Sequence, residues 1–223
     1  AQLQGVPSKL LVFPEETLCP KVFPADLGAA IRDMYAERGI RILNEDVPVK
    51  LETTDAGQRV HTRGGETLEA RCVLAGIGLT PGTALAEAAG LEVDDGVVVD
   101  DHLRASNPQI FAAGDNASFP CATLEQRYRF EHWDNAQAQG RQAGRVMAGA
   151  DEAFTYLPFF FSDLFDFGYE AVGEVDSRLE TVADWQDRFE KGVVYYHRDG
   201  KLRGALMCNV WDRVDAARRL IEA

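Results

Sequence analysis

The sequence predicts an α/β chain that ends in a smaller α+β unit, and three observations carry that reading. A strand–helix–strand pattern occupies residues 9–43, glycine-punctuated strands and a long small-residue helix fill the middle, and hairpin signals dominate after Ala150.

Lys9-Leu10-Leu11-Val12-Phe13 is a short apolar run halted by Pro14, the pattern of a buried strand. Leu27, Ile31, Met34 and Tyr35 follow at helical spacing between Pro24 and Arg38, with Pro24 where a helix start tolerates it and Gly39 closing the helix. Residues 40–43 form the next strand, which makes a parallel unit entered partway through. Over 47–79 the pattern changes to short alternating strands with turns at Asp55-Ala56-Gly57 and Arg63-Gly64-Gly65, an antiparallel meander set into that unit. It ends in a strand over 70–78 that runs into Gly76 and Gly78. A helix over 84–89, a turn at Asp94-Asp95-Gly96 and strands over 97–99 and 110–113 come next. Residues 130–148 form a long helix with Ala and Gly on one face. The tail holds strands near 170–174 and 178–184, then a hairpin of 193–196 and 202–207 around Asp199-Gly200, and a last helix over 211–221.

Composition narrows the function classes. The 23 Lys+Arg against 36 Asp+Glu leave a net charge of -13, which repels a phosphate backbone and argues against nucleic acid as a partner. No apolar run approaches the roughly 20 residues that span a bilayer, and the first residues, Ala1-Gln2-Leu3-Gln4-Gly5, lack the features of a signal peptide. Cys19, Cys72, Cys121 and Cys208 are scattered, so they read as idle thiols of a reducing, cytoplasmic setting rather than a redox dithiol or a zinc site. His61, His102, His132 and His197 are widely spaced and no G-x-S-x-G elbow is present, so neither a metal site nor a hydrolase nucleophile is expected.

Four segments carry chemistry. Gly76-x-Gly78-x-x-x-Gly82 departs by one residue from a dinucleotide loop and contains Pro81, so it reads as a strand-exit loop beside a ligand. Phe111-Ala112-Ala113-Gly114-Asp115 is an apolar strand ending in a glycine and a carboxylate; it suits either an ordinary Gly-Asp turn or a ligand-facing turn at a strand's C-terminal end. Glu131-His132-Trp133-Asp134-Asn135 opens the long helix, with Asp134 or Asn135 as cap and Trp133 as core on one reading, and the rings as walls for a flat cofactor on the other. Phe159-Phe160-Phe161 is an aromatic run in a loop, with Phe159 and Phe160 read as packing.

In order and spacing these segments resemble the FAD-dependent pyridine-nucleotide oxidoreductases of glutathione-reductase-like fold. The residues that carry the resemblance are 73–90 (Val-Leu-Ala-Gly-Ile-Gly-Leu-Thr-Pro-Gly onward), Val97-Val-Val-Asp100 and Ser106-Asn-Pro-x-Ile-Phe-Ala-Ala-Gly-Asp115. Phe13-Pro-Glu, Lys21-Val-Phe-Pro, Phe130-Glu-His-Trp-Asp-Asn-Ala, Phe160-Phe-Ser-Asp163 and Gly168-Tyr-Glu-Ala-Val-Gly173 are similar to the apoptosis-inducing-factor and ferredoxin/rubredoxin-reductase branch. The resemblance implies incomplete FAD- and NAD(P)-binding doubly wound domains followed by a small α+β C-terminal domain. The expected divisions are 1–80 for part of the NAD(P)-binding domain, 81–149 for the C-terminal part of the FAD-binding domain and 150–223 for an interface or dimerisation domain. It also implies hydride transfer from NAD(P)H to FAD and onward electron transfer to an acceptor such as a ferredoxin or a rubredoxin.

Carried over by position, Asp115 binds the flavin ribityl or phosphate region with Gly114 allowing close approach, and Glu131 and His132 line the flavin and nicotinamide edges. Gly78 offers its backbone to the nicotinamide end, Glu15 takes the NAD ribose hydroxyls, and Phe161 stands beside the isoalloxazine where the family often has Trp. No cysteine pair is present for disulfide reduction. The two G-x-G-x-x-G loops that the resemblance implies are also absent from the chain. The expectation is therefore that the chain as it stands holds neither FAD nor NAD tightly, and that apolar faces find a second copy or a complementary fragment. The alternative is a non-catalytic dimerisation or partner-docking module of the same family.

Overall fold

The computed structural model describes residues 8–223. They fall into two compact units, the first running to Gly78 and taking in Asp176–Arg178, the second made of Leu79–Val175 with Leu179–Ala223.

In the first unit β1 (Lys9–Val12) and β2 (Ile40–Leu43) pair in parallel, Lys9 opposite Ile40 and Val12 opposite Leu43. The crossover is α1 (Ala25–Glu37), which buries Leu27 and Ile31 one turn apart. Pro24 stands at the N-cap, one residue before the helix. The meander is β3 (Pro48–Thr54), β4 (Gly57–Thr62) and β5 (Thr67–Ala70), antiparallel in chain order, with Val60 and Leu68 on its buried side. Asp46 accepts the N–H groups of Val47 (2.8 Å) and Gly64 (2.9 Å), which pins the turn after β4. Hydrogen bonds from the Thr62 hydroxyl and the Gly64 N–H hold its carboxyl below the usual range.

The second unit opens with α2 (Ala84–Ala88), then β6 (Val97–Val98), a 3-10 turn over Gly114–Asn116, β7 (Ala117–Cys121) and β8 (Gln126–Tyr128). β6 runs parallel to β7, and β8 returns antiparallel. After α3 (Trp133–Met147) come β9 (Phe159–Leu164), β10 (Phe167–Gly173), β11 (Glu180–Asp187), β12 (Lys191–Arg198) and β13 (Lys201–Cys208), an antiparallel sheet in the order β11-β12-β13-β10-β9. The last helix, α4 (Val214–Ile221), packs on β10 and β13. One core joins Val99, Leu103, Phe119 and Leu157 to Val172, Met207 and Ile221. This mixed α/β architecture with a C-terminal sheet is the fold class that the sequence predicts.

Several elements differ from expectation, each for a physical reason. The strand over 70–78 stops at Ala70, and 71–83 forms no strand. Apolar composition makes a strand only where a neighbouring ladder takes its N–H and C=O groups, and among the described residues none does. Residues 110–113 make a single bridge, Arg104 to Phe111, while β7 and β8 carry the pairing there. The aromatic run at 159–161 is strand rather than loop, because β10 offers it a ladder with Phe161 opposite Glu170, and aromatic side chains suit a pleated surface. β11 starts at Glu180 rather than Arg178, which belongs to the first unit. The last helix starts at Val214 rather than Trp211, since Asn209 (φ 48°) and Asp212 (φ 62°) take left-handed conformations that break a helix. Asn209 uses that bend to accept the Gly168 N–H and to donate to the carbonyls of Asp166 and Glu190.

Candidate functional site

The site is built where an extended chain turns against α3. Ala113 is extended (φ -148°, ψ 154°), and Gly114 then turns left-handed at φ 77°. A Cβ on Gly114 would stand 3.3 Å from Ala136 Cβ, so the turn lies almost on the helix. The Gly114 N–H donates to Gln139 Oε1 at 2.7 Å, and both residues are buried. Asp115 is exposed beside this anchored turn. Arg129 donates to the Asp115 carbonyl (3.1 Å), Asp95 Oδ1 (3.0 Å) and Glu131 Oε1 (2.8 Å), which ties the turn to the segment leading into α3.

That helix begins at Trp133 and not at Phe130. Phe130 and His132 stay out of the helix because their rings make a ladder instead, and Glu131 between them is held by Arg129. Tyr128 stacks on Phe130 (5.0 Å between centroids), Phe130 on His132 (5.1 Å), and His132 meets Phe160 of β9 (4.5 Å). His132 itself is the N-cap, without a side-chain capping bond, so neither Asp134 nor Asn135 is the cap. Trp133 is not core either; it is 71% exposed, because the buried stripe of α3 is Asn135, Gln139, Ala143 and Val146.

Burial pushes the His132 imidazole below its usual range, against the opposing pull of Asp115, Asp134 and Glu131. The ring is therefore neutral near neutral pH. Its Nδ1 is buried without a hydrogen-bond partner, as are Asn135 Oδ1 and Gln139 Nε2 on the same helix face. Three orphaned buried polar atoms beside one glycine turn are costly unless something else meets them.

The structure brings Gly114, Asp115, Glu131 and His132 together through Arg129 and the ring ladder. Phe161 follows Phe160 on β9 and is 59% exposed. Its cross-strand partner Glu170 has a buried, unpartnered Oε2 and a carboxyl raised by burial and then by Asp212. Glu15 and Gly78 lie in the first unit. Glu15 is exposed past the end of β1, where its carbonyl accepts the Glu45 N–H at 3.1 Å, and Gly78 (φ 85°) is open around its Cα. Sequence reasoning missed Gln139 and Arg129. The one signal for Gln139 was its spacing from Asn135, two amides one turn apart on a helix face that is otherwise apolar.

Among the described residues, Asp100, Asp101 and His102 place ligand-type atoms within 4.8 Å of one another. Each is otherwise engaged: Asp100 accepts the N–H groups of His102 and Arg104, and the His102 nitrogens face Asp101 (2.7 Å) and Asp151 (3.2 Å). The Asp101 hydrogen bond raises the His102 imidazole above its usual range. The two histidines therefore act oppositely on stability. His132, depressed in the folded state, binds its proton more readily when unfolded, so its contribution is lost as pH falls through the unfolded value. His102 contributes fully below the unfolded value and loses that contribution as pH rises through the folded one. Urea midpoints taken on either side of the ordinary histidine value, at about pH 7.5 and about pH 5.5, test both directions. His102→Gln is expected to steepen the loss on acidification and His132→Phe to flatten it; parallel profiles for both variants would contradict these assignments.

Comparison with known proteins fits this geometry. Residues 9–140 match the family model described as pyridine nucleotide-disulphide oxidoreductase, and 143–188 and 183–223 match that of the mitochondrion-associated apoptosis-inducing factor C-terminus. The chain is 32% identical to monodehydroascorbate reductase 3 of Arabidopsis thaliana over 88% of its own length and 47% of the relative's. To the ferredoxin–NAD(+) reductase component of the anthranilate 1,2-dioxygenase system of Burkholderia cepacia it is 30% identical, over 96% of its length and 53% of the relative's. It superposes on putidaredoxin reductase in the covalent putidaredoxin reductase–putidaredoxin complex with a TM-score of 0.84 at 26% identity, covering 96% of this chain and 52% of that one. The chain thus spans about half the length of the relatives it matches. With 9–140 matched, well over half its residues, the chain belongs to the pyridine nucleotide-disulphide oxidoreductase family.

Proposed function

We propose that this chain is part of an FAD-dependent NAD(P)H oxidoreductase that passes electrons to a redox protein such as a ferredoxin or a rubredoxin. One observation carries the reading. The left-handed Gly114 turn is anchored to α3 with Asp115 exposed beside it, and a neutral His132 ring with an orphaned Nδ1 lies at the same helix start.

These residues fit a flavin dinucleotide. Gly114 leaves room for close approach, because any larger residue would need a left-handed backbone and press on Ala136. Asp115 offers an acceptor for ribityl hydroxyls, and Glu131 is held toward the turn by Arg129. A flat, uncharged His132 suits the edge of a ring system and keeps a hydrogen-bonding nitrogen out of water. Phe161 gives an exposed aromatic face beside Phe160. Gly78 and Glu15 take the nicotinamide and ribose ends, with Glu15 favouring NAD because a carboxylate repels a 2′-phosphate. Hydride acceptance from NAD(P)H and one-electron onward transfer are the chemistry that FAD supplies when bound.

The names of the relatives favour a redox-protein acceptor, ferredoxin for one and putidaredoxin for another. Val73, Leu74, Ile77 and Leu79 are 39%, 79%, 90% and 56% exposed, and they favour association with a second copy or a complementary fragment. Among the described residues no helix is long and apolar enough to cross a membrane. The four free thiols suit a cytoplasmic setting.

The test supplies the rest of the fold. The chain is co-expressed with the N-terminal half of the Burkholderia ferredoxin–NAD(+) reductase component, and the flavin absorption that co-elutes on gel filtration is measured with NADH-dependent ferricyanide reduction. The wild-type pair is expected to retain flavin. Asp115→Ala and Gly114→Val are each expected to weaken retention by about tenfold or more, the scale of one charge-assisted hydrogen bond. Flavin retention that ignores both substitutions would sink the assignment.

A further inference from the structure

We propose that Arg218 on α4 is a positioning residue for the His132 ring, acting through Asp134 and the first residues of β9. The proposal rests on the flavin reading for its functional meaning, and on contacts within the second unit for its argument.

Asp134 lies in the first turn of α3, two residues after His132, where the helix dipole favours a carboxylate. It accepts the Tyr156 hydroxyl at 3.0 Å and the Phe159 backbone N–H at 3.3 Å. One carboxylate therefore joins the start of α3 to the start of β9. Arg218 closes the arrangement from the other side. Its Nη2 is 3.7 Å from Asp134 Oδ2 and donates to the Tyr156 hydroxyl, and its Nε donates to the Leu157 carbonyl at 2.8 Å. The guanidinium also lies over the Tyr156 ring at 4.4 Å and the Phe159 ring at 5.7 Å. Arg218 and Asp134 side chains are only 16% and 20% exposed, so this pair is screened far less than a surface one.

Every contact of this hub except that with Asp215 falls on Asp134 or on 156–159, the segment that delivers Phe160 onto His132. Phe160 is the next residue, 4.5 Å from the imidazole, and Phe130 stacks on the same ring at 5.1 Å. Without Arg218 the Leu157 carbonyl loses its donor, and Asp134 keeps only two neutral partners in a half-buried position. The start of β9 is then freed to move, Phe160 with it, and water reaches the ring. A planar fork that donates along several directions suits this task, and an ammonium does not replace it. The groups that face His132 are the carboxylates of Asp115, Asp134 and Glu131, the last paired with Arg129.

The experiment follows the His132 Cε1–H resonance of the 223-residue chain through a pH titration, for wild type, Arg218→Ala, Arg218→Lys and the exposed neighbour Arg219→Ala. In Arg218→Ala the resonance should move toward its solvent-exposed position as the ring-current shift from Phe130 and Phe160 is lost, and the midpoint should rise by about half a unit or more toward the ordinary histidine value. Arg218→Lys should recover only part of the resonance shift. Because it keeps the charge, that remaining difference reports geometry rather than electrostatics. Arg219→Ala should match wild type. A folded Arg218→Ala with wild-type resonance and midpoint overturns the proposal. Should Arg218→Ala fail to fold, Arg218→Lys decides it: an intermediate resonance supports the proposal and an unchanged one overturns it. No flavin is needed for this readout, so its failure is distinct from a failure of flavin retention.

Discussion

Replacing Arg203 by alanine is expected to destabilise the second unit by about 3 kcal/mol, the lower end of the cost of breaking a buried ion pair, because Arg198 still neutralises Glu174. Arg203 and Glu174 are 6% and 8% exposed, with Nε 3.2 Å from Oε2. Arg203 also donates to the carbonyl of Leu124, itself 1% exposed. Truncation thus takes the Arg203 donor from one oxygen of a buried carboxylate and from a buried carbonyl together. Arg198, on the partly exposed side, donates to the other Glu174 oxygen at 2.5 Å and does not reach the Leu124 carbonyl. The same principle says that the pair itself adds little beyond an apolar substitute. Arg203→Met with Glu174→Leu should therefore lose much less than Arg203→Ala alone. Urea unfolding monitored by far-UV circular dichroism decides between these outcomes; a single variant that unfolds with the wild-type midpoint would contradict the burial argument.

Phe119→Ala is expected to cost a similar amount, about 3–5 kcal/mol, for a different reason: it opens a cavity that a strand and a loop cannot collapse into. Phe119 is 1% exposed on β7, edge-on to Phe154 at 5.4 Å and tilted against Phe130 at 6.1 Å. A domain's whole stability is roughly 5–15 kcal/mol, so the variant stands close to unfolding at ordinary temperature. Phe119→Leu should recover more than half of the loss, because most of the apolar volume returns. The substitution also removes a support of Phe130, so the unfolding midpoint and the His132 environment should change together. Calorimetry on the alanine and leucine variants tests the order; equal loss in both would mean that the aromatic contacts rather than the volume dominate.

What the sequence revealed and what it hid divide along a physical line. The β12–β13 hairpin was legible because its signal is local: Asp199 (φ 52°) and Gly200 (φ 75°) meet the twin left-handed requirement of a two-residue turn. β1, α1 and β2 were legible for the same reason, their periodicity and breakers lying within a few residues. β9 was hidden because three consecutive phenylalanines have no alternation, and only the free edge of β10 makes them a strand. The start of α3 was hidden because Phe130 and His132 trade helical bonds for stacking on rings from two other segments. The site divides in the same way. Gly114-Asp115 and Glu131-His132 are short motifs, visible as such. The residues that hold them, Gln139 to Gly114 and Arg218 to Asp134, act across 25 and 84 positions. No local pattern reports bonds of that span.

The unpaired stretch after β5 has a consequence for handling the protein. From Cys72 to Ala86 there is no charged residue, and Val73, Leu74 and Ile77 would make an adhesive edge if another chain offered a ladder. Repulsion between molecules carrying a net charge of -13 opposes such pairing between copies. That repulsion reaches only about 8 Å at physiological ionic strength and about 3 Å in molar salt. Raising the salt therefore weakens the barrier while leaving the adhesive segment untouched, and dilute buffer well above the isoelectric point of about 4.7 is where that repulsion is strongest.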